Sequence, residues 1–404
     1  MLETGKAYMK KIYLDYNATT PLDPRVFEAM LPYMKEEFGN PSSIHSFGRK
    51  GKAALDNSRE QVAELIGALP KEVVFTSGGS ESNNFAIKGI ALSLREKGSH
   101  LITTKVEHAS VIESFEFLRT LGFKVTYLGV DEYGLIDLEE LKRAINDETI
   151  LVSVMFANNE TGVIMPIEEI AEIVKEKGII LHTDAVQAVG KIEIDLRKIP
   201  VDLLSLSAHK LYGPKGIGAL FIREGVKITP IIHGGGQERG RRSGTENVPG
   251  IVGLGKACEI AKEEMQTENA RVAEFRDKLH RGILEKIDGV KLNGHPERRL
   301  ANTLNLSFKG VDGESLVINL DLEGIAVSTG SACSEGNVDP SHVLLAMGMS
   351  RELATSSIRF SLGRFTKRED IEHVLDILPG IVSRIREANL SQEVKASKET
   401  QEAW

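Results

Sequence analysis

Short apolar runs alternate along the chain with longer segments of mixed polarity. The apolar runs predict strands at 72–77, 100–104, 123–130, 149–157, 178–186, 201–208 and 218–223. Several are apolar throughout, which is typical of strands that a parallel sheet buries on both faces. Between two of them, residues 166–178 (PIEEIAEIVKEKG) place their apolar side chains at helical spacing. This repetition of strand and helix predicts a doubly wound α/β domain with a mostly parallel sheet.

The pattern changes after a long helical segment that begins near residue 249. Shorter strand-like runs follow, at 303–308 and 324–330. Helical segments surround these runs, so the second part of the chain is expected to have a different architecture. We therefore predict a large domain over residues 12–262 and a smaller α+β domain formed by residues 1–11 and 263–404.

Composition narrows the class of protein. Hydrophobic residues make up 41% of the chain, enough for a sizeable core, and the net charge is −8. An acidic balance argues against nucleic acid held by bulk electrostatics. No apolar run approaches the ~18 residues of a membrane-spanning helix, and the N-terminal segment lacks the apolar core of a signal peptide. We expect a soluble cytoplasmic protein that binds neither membrane nor nucleic acid directly.

The chain has two cysteines, too few for a disulfide framework, and they lie in different surroundings. Cys258 belongs to the periodic helix GLGKACEIAKEEM and is predicted to be a packed core thiol. Cys333 lies in VSTGSACSEGNVDPSH (327–342), where small and polar residues predict a mobile loop. Taken alone, this context indicates an exposed thiol that is available for reaction.

Two polar residues follow apolar strands at positions that favour ligand binding. Lys210 stands between an apolar strand and a Gly/Pro-rich turn, next to His209 and close to Ser207. It is either a surface lysine at the strand end or an amine nucleophile. Asp184 ends another strand. It is either the N-cap of the next segment or a ligand contact at the carboxyl edge of the sheet.

A third motif, FTSGGSESNN (75–84), runs from a strand into a helix through small residues. Unpaired backbone N–H groups at a helix N-terminus attract an anion, and the hydroxyl of Ser77 or Ser80 would add a donor. An ordinary capping turn is the alternative interpretation. A strand-end lysine, a strand-end aspartate and a phosphate site on one sheet together favour pyridoxal 5′-phosphate. This cofactor needs an amine for its Schiff base, an acid for its pyridine nitrogen and an anion site.

Many motifs in order carry a resemblance over roughly residues 11–370. They are LDYNATTPLDPRV, FGNPSSIHSFGR, VFTSGGSESNNFAIKG, VEHASV, ANNETG, HTDAVQAVGK, SLSAHKLYGPKGIGAL, HGGGQERGRRSGTENVPGIVG, STGSACSEGN and SSIRFSLGRF. In these motifs the chain resembles the cysteine desulfurases of the NifS/IscS type. The resemblance implies a pyridoxal-phosphate-dependent transferase of fold type I, in aminotransferase class V.

The resemblance implies a role for each matching residue at the cofactor. Lys210 would form the Schiff base, and Asp184 would hold the pyridine nitrogen. Gln187 would bond the phenolic oxygen. His108 would stack on the ring and act as acid or base, with a capping histidine at a strand end as its alternative.

The phosphate contacts implied by the resemblance come from several segments. They are Gly79, Ser80, Ser207 and His209 of one subunit, and Thr245 reaching across from its neighbour. A phosphate shared in this way implies an obligate homodimer.

At the substrate, the resemblance implies that Asn159, also a cofactor contact, and Arg359 hold the carboxylate, with Asn17 lining the same pocket. A guanidinium suits a carboxylate by bidentate pairing, while a surface ion pair is the alternative for Arg359. Cys333 would take the substrate sulfur as a persulfide.

The expected activity is therefore cysteine desulfuration: L-cysteine gives L-alanine and a Cys333 persulfide. The sulfur would pass to a scaffold protein for iron–sulfur cluster assembly or to another acceptor. No metal is expected in the site. A selenocysteine lyase, an aminotransferase of the same fold and a catalytically silent scaffold are the alternatives.

Overall fold

The computed structural model describes residues 11–329 and 340–402. These residues form two compact units. The large unit consists of Ala18–Asn159 and Val163–Thr267. The described residues of the small unit come from Met1–Asn17, Glu160–Gly162 and Glu268–Trp404.

Strands and helices alternate through most of the described chain. The strands are β1 (Ile12–Tyr13), β2 (Val73–Thr76), β3 (His100–Thr104), β4 (Lys124–Leu128), β5 (Thr149–Ser153), β6 (Ile180–Asp184), β7 (Leu203–Ser207), β8 (Gly218–Ile222), β9 (Val290–Leu292), β10 (Thr303–Phe308), β11 (Ile325–Ala326) and β12 (Ser357–Ser361). The α-helices are α1 (Pro24–Lys35), α2 (Ser46–Ile66), α3 (Gly79–Ser93), α4 (Ala109–Thr120), α5 (Leu138–Ala144), α6 (Ile167–Glu176), α7 (Val248–Lys286), α8 (Gly313–Leu322), α9 (His342–Ala346), α10 (Arg351–Thr355) and α11 (Arg368–Glu402). Short 3₁₀ turns lie at Pro70–Glu72, Ala208–Lys210 and Gln237–Gly240.

The large unit is built on a seven-stranded sheet with the order β2-β8-β7-β6-β5-β3-β4. Strands β7, β6, β5, β3 and β4 pair in parallel, and β8 runs antiparallel to both of its neighbours. Strands β2, β3, β5, β7 and β8 are buried at every position, as expected for a sheet covered on both faces. The predicted doubly wound, mostly parallel α/β fold is confirmed.

Helices reach this sheet through the apolar positions that the sequence pattern marks. In α6, the buried residues Ile167, Ile170, Ala171 and Val174 follow a spacing of three and four and form one face. Apolar residues of α3 and α4 form a core with those of several strands. Full burial of such a side chain contributes roughly 1.5–3 kcal/mol.

The sheet also determines where functional side chains meet. Strands β6 and β7 are parallel neighbours, and Asp184 pairs in register with Ser205. The carboxyl ends of the two strands, at Asp184 and Ser207, therefore lie at the same edge of the sheet. This edge is where open α/β sheets bind their ligands.

The small unit contains an antiparallel sheet of order β12-β10-β9 and a parallel pair of β1 with β11. Its core joins strand residues to apolar faces of α7, α8 and α11. Between β10 and β12 the pairs include Asn305 with Arg359, so Arg359 lies on the middle of a buried strand.

The two units and the predicted domains divide the chain at different residues. The units divide at Thr267 and Glu268 within α7, whereas the predicted boundary lies near residue 262. Residues 12–17 fall in the small unit, although the prediction assigned them to the large domain. Across the described ranges, no helix combines the length and apolarity needed to cross a membrane.

Candidate active site

Lys210 ends the 3₁₀ turn that directly follows β7. Its side chain is half-buried, and its Nζ donates a hydrogen bond to the backbone oxygen of Ala18 at 2.7 Å. The buried strand β7 fixes the start of this turn, so the amine is held at the carboxyl edge of the sheet. A primary amine at this place has the position that a covalent cofactor site needs.

A cavity of about 390 Å³ opens beside this turn in the large unit. It is lined by Ala18, Thr19, Ser77, Gly78, Gly79, Ser80, Glu81, Ser207, His209, Lys215 and Gly216. The lining combines the first turn of α3, several hydroxyl groups and a lysine. Such a donor set suits a phosphate group, and we call this space the phosphate-type cavity.

The turn before α3 serves two purposes. Gly78 is its N-cap with φ of 153°, a conformation that suits glycine, and no side chain caps the helix there. Instead, the Glu81 carboxylate accepts a hydrogen bond from the Ser77 backbone N–H at 2.8 Å. This bond fixes the turn but does not cap α3, so the N–H groups of the first turn have no side-chain cap, and Gly79 and Ser80 line the cavity.

Close approach of two backbones shapes the cavity wall. A Cβ at Gly218 would lie 2.6 Å from the Leu206 oxygen and 2.8 Å from the Gly78 Cα. Any larger side chain there would push the α3 turn away from β7. Glycine at this position therefore keeps the phosphate-type cavity close to the Lys210 turn.

Charges around the cavity are balanced in a way that favours an anion. Burial, together with the nearby Lys210 and Lys215 amines, lowers the pKa of His209 to about 4, so its imidazole is neutral at pH 7. Its Nδ1 pairs with the Thr19 hydroxyl at 3.2 Å. Burial tends to raise the pKa of Glu81, but hydrogen bonds from Arg242 and Ser77 outweigh it and lower the pKa. The Glu81 carboxylate is held by the Arg242 guanidinium at 2.8 Å.

Asp184 lies at the end of β6, and both of its carboxylate oxygens accept N–H bonds. Asn83 Nδ2 donates to Oδ2 at 2.7 Å, and the Val186 backbone N–H donates to Oδ1 at 3.0 Å. A turn rather than a helix follows the strand, so Asp184 is not a helix N-cap. Two donors on opposite oxygens fix the orientation of this carboxylate.

His108 is the N-cap of α4. The Ser110 backbone N–H donates to His108 Nδ1 at 3.1 Å, so this nitrogen carries no proton. The Ser110 hydroxyl lies 2.8 Å from the same nitrogen and therefore also donates to it. The capping alternative is therefore present in the structure. It leaves Nε2 as the other ring nitrogen for chemistry.

Glu107, next to His108, is completely buried. Its Oε1 accepts from the Thr104 hydroxyl at 2.9 Å and from the Met155 backbone N–H at 2.8 Å. Burial raises the pKa of Glu107 to about 8, and the nearby Asp184 carboxylate adds to this effect. Glu107 is therefore mostly protonated and neutral at pH 7.

Three more predicted cofactor contacts lie on loops of the large unit. Gln187 is buried and its Oε1 accepts from Lys191 Nζ at 2.9 Å. Asn159 is half-buried, in the connection between β5 and α6. Thr245 is exposed on the segment before α7.

Two predicted substrate contacts belong to the small unit. Arg359 is buried on β12, and its guanidinium pairs with the Asp15 carboxylate at 2.7 Å. Its side chain is thus within an ion pair, although not at the surface as the alternative supposed. Asn17 is buried, donating to the Thr303 hydroxyl and accepting from Asn302 Nδ2, each at 2.9 Å.

The structure describes one of the two cysteines, Cys258. Cys333, the predicted sulfur acceptor, lies outside the described residues. Cys258 is fully buried in α7, and burial raises the pKa of its thiol. The prediction of a packed core thiol at Cys258 is confirmed.

Several residues of this site were not predicted from the sequence: Thr19, Asn83, Glu107, Ser110 and Lys215. Asn83 had a detectable signal, because it lies four residues after Gly79 and so shares its face of α3. Lys215 lies in the glycine-rich turn after Lys210. The pairing of β7 with β8 brings this turn close to the phosphate-type cavity.

Comparisons with known proteins agree with this geometry. Residues 12–374 match the aminotransferase class-V family. Cysteine desulfurase IscS of Dictyoglomus turgidum is 53% identical over 392 residues, which are 97% of this chain and 100% of the relative. Cysteine desulfurase IscS of Methanosarcina thermophila is 54% identical over 93% of each chain. The chain belongs to the cysteine desulfurases of aminotransferase class V.

Solved structures point to the same family. A NifS-like protein superposes with a TM-score of 0.88 at 42% identity, over 93% of this chain and 100% of that one. The structure described as SspA in complex with cysteine gives a TM-score of 0.79 at 40% identity, over 89% and 100% of the two chains. The predicted family, its pyridoxal phosphate cofactor and its cysteine desulfurase activity are confirmed. The roles of individual residues stay predictions.

The donors around the cavity fit pyridoxal phosphate. The α3 turn and the hydroxyl of Ser207 suit the phosphate, and Lys210 is an amine beside it. Asp184, at the end of the neighbouring strand, is a carboxylate with the charge that a protonated ring nitrogen requires.

Proposed function

We propose that this enzyme removes sulfur from L-cysteine. Lys210 binds its cofactor covalently, and Asp184 pairs with the ring nitrogen of the cofactor. The observation that carries the proposal is their placement. The Lys210 amine follows β7 beside the phosphate-type cavity, and Asp184 ends the adjacent parallel strand β6. A ligand bound at this edge would meet an amine, a carboxylate and an anion site at once.

The residues that line the cavity of the large unit each have a proposed task at the phosphate of the cofactor. Pyridoxal phosphate, when bound, supplies an electron sink for the amino acid's Cα. Gly79, Ser80, Ser207 and His209 bind its phosphate, the neutral His209 as a hydrogen-bonding group and not as a cation. Lys215 adds a positive charge to the same cavity lining.

Other residues of the large unit orient the ring and move protons. Asp184 keeps a proton on the ring nitrogen, and Gln187 bonds the phenolic oxygen. His108 covers the ring, with Nε2 available as an acid or base because Nδ1 is engaged in the helix cap. The Lys210 amine accepts the proton from the substrate Cα.

Arg359 and Asn159 hold the substrate carboxylate, and Asn17 supports the strands that carry Arg359. Arg359 is suited to this task because its guanidinium is already buried and oriented by Asp15. A fork of N–H donors then recognises a planar carboxylate in a bidentate manner.

The sulfur passes to Cys333. Its thiolate attacks the substrate sulfur, forming the S–S bond of a persulfide as the Cβ–S bond breaks. The electron pair of the broken bond stays with the carbon skeleton, which is protonated and leaves as L-alanine. The persulfide is then delivered to an acceptor protein, for iron–sulfur cluster assembly or another sulfur-containing product, in the cytoplasm.

A homodimer is part of this proposal. Large apolar side chains are exposed on one stretch of the large unit: Phe38 at 79%, Ile44 at 91% and Phe47 at 50%. The Phe38 and Phe47 rings stack with centroids 5.4 Å apart. Clustered exposed apolar side chains are typical of a surface that a partner covers. Thr245 is exposed, as a residue that binds the neighbour's phosphate must be.

Borohydride trapping tests the assignment of Lys210. Reduction of the purified enzyme is expected to fix the cofactor on the Lys210 peptide, and Lys210→Ala is expected to abolish both the label and alanine formation. Lys227→Ala, which changes an exposed lysine outside the cavity lining, is the matched control and should retain both. A label on another lysine would contradict the assignment.

The aminotransferase alternative has a separate test. An aminotransferase needs no thiol, so Cys333→Ala would leave its turnover intact. A desulfurase with the same substitution keeps its cofactor and stops releasing sulfur from cysteine. Retained sulfur release would contradict the proposed role of Cys333.

A further inference from the structure

Asn83 links two residues of the candidate site that are far apart in the sequence. Its Nδ2 donates one hydrogen bond to Asp184 Oδ2 at 2.7 Å and another to the Ser110 hydroxyl at 2.9 Å. The Ser110 hydroxyl in turn donates to His108 Nδ1 at 2.8 Å. The Asn83 amide, which is 1% exposed, therefore connects the Asp184 carboxylate to the imidazole of His108 through the Ser110 hydroxyl.

The direction of these hydrogen bonds is determined by chemistry. The Nδ1 atom of His108 accepts from the Ser110 backbone N–H, so it cannot donate to the Ser110 hydroxyl. The hydroxyl therefore donates to Nδ1 and accepts from Asn83. Rotating the Asn83 amide by half a turn would bring its oxygen against the Asp184 carboxylate, so the N–H groups must face that way.

The arrangement leaves one polar atom of Asn83 unsatisfied. In the part of the chain that the structure describes, the buried Oδ1 has no hydrogen-bond partner. An unsatisfied buried acceptor is unfavourable for stability. Packing therefore explains an amide at this position poorly. The two hydrogen bonds that its Nδ2 donates, to Asp184 and Ser110, explain it better.

We propose that Asn83 is a positioning residue of the cofactor site, which orients the Asp184 carboxylate toward the ring nitrogen and, through Ser110, orients His108. The inference rests on the proposed role of Asp184. Asn83 bonds one carboxylate oxygen and the Val186 backbone N–H bonds the other, so the two donors together restrict rotation of the carboxylate. Glu107, the other carboxyl group near Asp184, is buried and mostly protonated at pH 7, so it adds little negative charge beside Asp184.

Two cofactors that differ at one atom test the inference. The full chain is freed of cofactor, and its affinity is measured for pyridoxal phosphate and for its 1-deaza analogue, in which carbon replaces the ring nitrogen. The wild-type chain should prefer pyridoxal phosphate, and Asp184→Ala should lose this preference. Asn83→Leu should weaken pyridoxal phosphate binding by about tenfold, since it removes a charge-assisted hydrogen bond, and leave binding of the analogue within about twofold.

Control variants separate the two arms of the linkage. Asn84→Leu makes the same change at the next position of α3 and should keep the wild-type preference, because among the described residues Asn84 Nδ2 donates only to the Ser80 oxygen. Ser110→Ala interrupts the histidine arm alone and should also keep it. Asn83→Ala repeats the test with a smaller side chain if the leucine variant does not fold.

The outcomes are distinct. Equal weakening of both cofactors by Asn83→Leu and Asn83→Ala would mean a packing role and overturn the inference, as would an unchanged preference. If Asp184→Ala itself retains the preference, the proposed role of Asp184 fails, and the inference fails with it. If Asp184→Ala loses the preference and Asn83→Leu keeps it, only the inference about Asn83 is wrong.

Discussion

Two buried carboxyl groups lie at strand ends of the same sheet and differ in their surroundings: Asp184 ends β6, and Glu107 follows β3. Asp184 accepts N–H bonds on both oxygens, one from a side chain positioned by α3. Glu107 is wholly enclosed, and its described hydrogen bonds come to Oε1, from the Thr104 hydroxyl and the Met155 N–H. Burial raises the pKa of Glu107 to about 8.

The comparison shows that burial of an acid beside a cofactor site does not by itself make it a cofactor ligand. The donors around Asp184 hold a carboxylate in one orientation, in which it can pair with a pyridinium nitrogen. The burial of Glu107 favours the neutral acid, which can join β3 to the segment after β5 without adding a second negative charge. Mutations at the two positions are therefore expected to act on different properties.

The largest expected effect is on turnover at Asp184. Asp184→Ala removes the negative charge opposite the ring nitrogen, and we expect kcat/KM for alanine formation from cysteine to fall by at least about 10²-fold. The measurement is steady-state kinetics on fully loaded protein, with cofactor content determined by absorbance. A decrease of less than about fivefold in the loaded variant would remove the distinction between the two carboxyl groups.

A smaller effect, on stability, is expected from Glu107 and pH. The folded protein holds this proton up to about pH 8, while the unfolded chain releases it near the ordinary value of 4.5. Between these values the folded state binds one more proton, so the free energy of unfolding falls as pH rises. Relative to Glu107→Gln, which does not titrate, wild-type protein should lose up to about 1.4 kcal/mol per pH unit across this window.

Denaturant unfolding of the two proteins at several pH values measures this difference. The sign is the decisive part of the prediction, because a carboxylate stabilised by donors would give the opposite slope. If wild-type protein instead gains stability relative to Glu107→Gln as pH rises from about 5 to 8, then Glu107 is charged in the folded state and the comparison is wrong.

The smallest effect is expected on the activity of Glu107→Gln. At pH 7 a neutral glutamic acid and a glutamine both present an oxygen to the Thr104 hydroxyl and the Met155 N–H. We expect kcat/KM within about threefold of wild type. A loss comparable to that of Asp184→Ala would give Glu107 a direct role in the chemistry.

Much of this architecture follows from local sequence patterns. The strand predicted at 100–104 has the same limits as β3, and the long helix predicted from residue 249 is α7. Strands β1 and β9 were missed because two or three residues carry too little periodicity. Strand β12 was not predicted, although Ser357, Arg359 and Ser361 alternate with Ile358 and Phe360 in a strand-like pattern, and the structure buries every position.

The site was predictable where one residue type at a strand end already indicates chemistry, as for Lys210 and Asp184. Helical spacing could place Asn83 on the Gly79 face of α3, but its bond to Ser110 comes from a contact between α3 and α4 that the sequence does not show. The protonation of Glu107 likewise depends on enclosure by β3, β5 and their neighbours, which a single sequence does not display. Contacts between distant segments, rather than residue types, were the missing information.

The central claim, that cysteine sulfur leaves as a persulfide on Cys333, is tested most directly by tracing the sulfur. The loaded enzyme is incubated with cysteine carrying radioactive sulfur, digested without reductant, and its peptides are mapped. We expect label on the Cys333 peptide, with equal amounts of alanine formed. Cys258→Ala, which changes the fully buried thiol of α7, should be labelled like wild type. Label on the Cys258 peptide, or alanine formation without label on Cys333, would contradict the account.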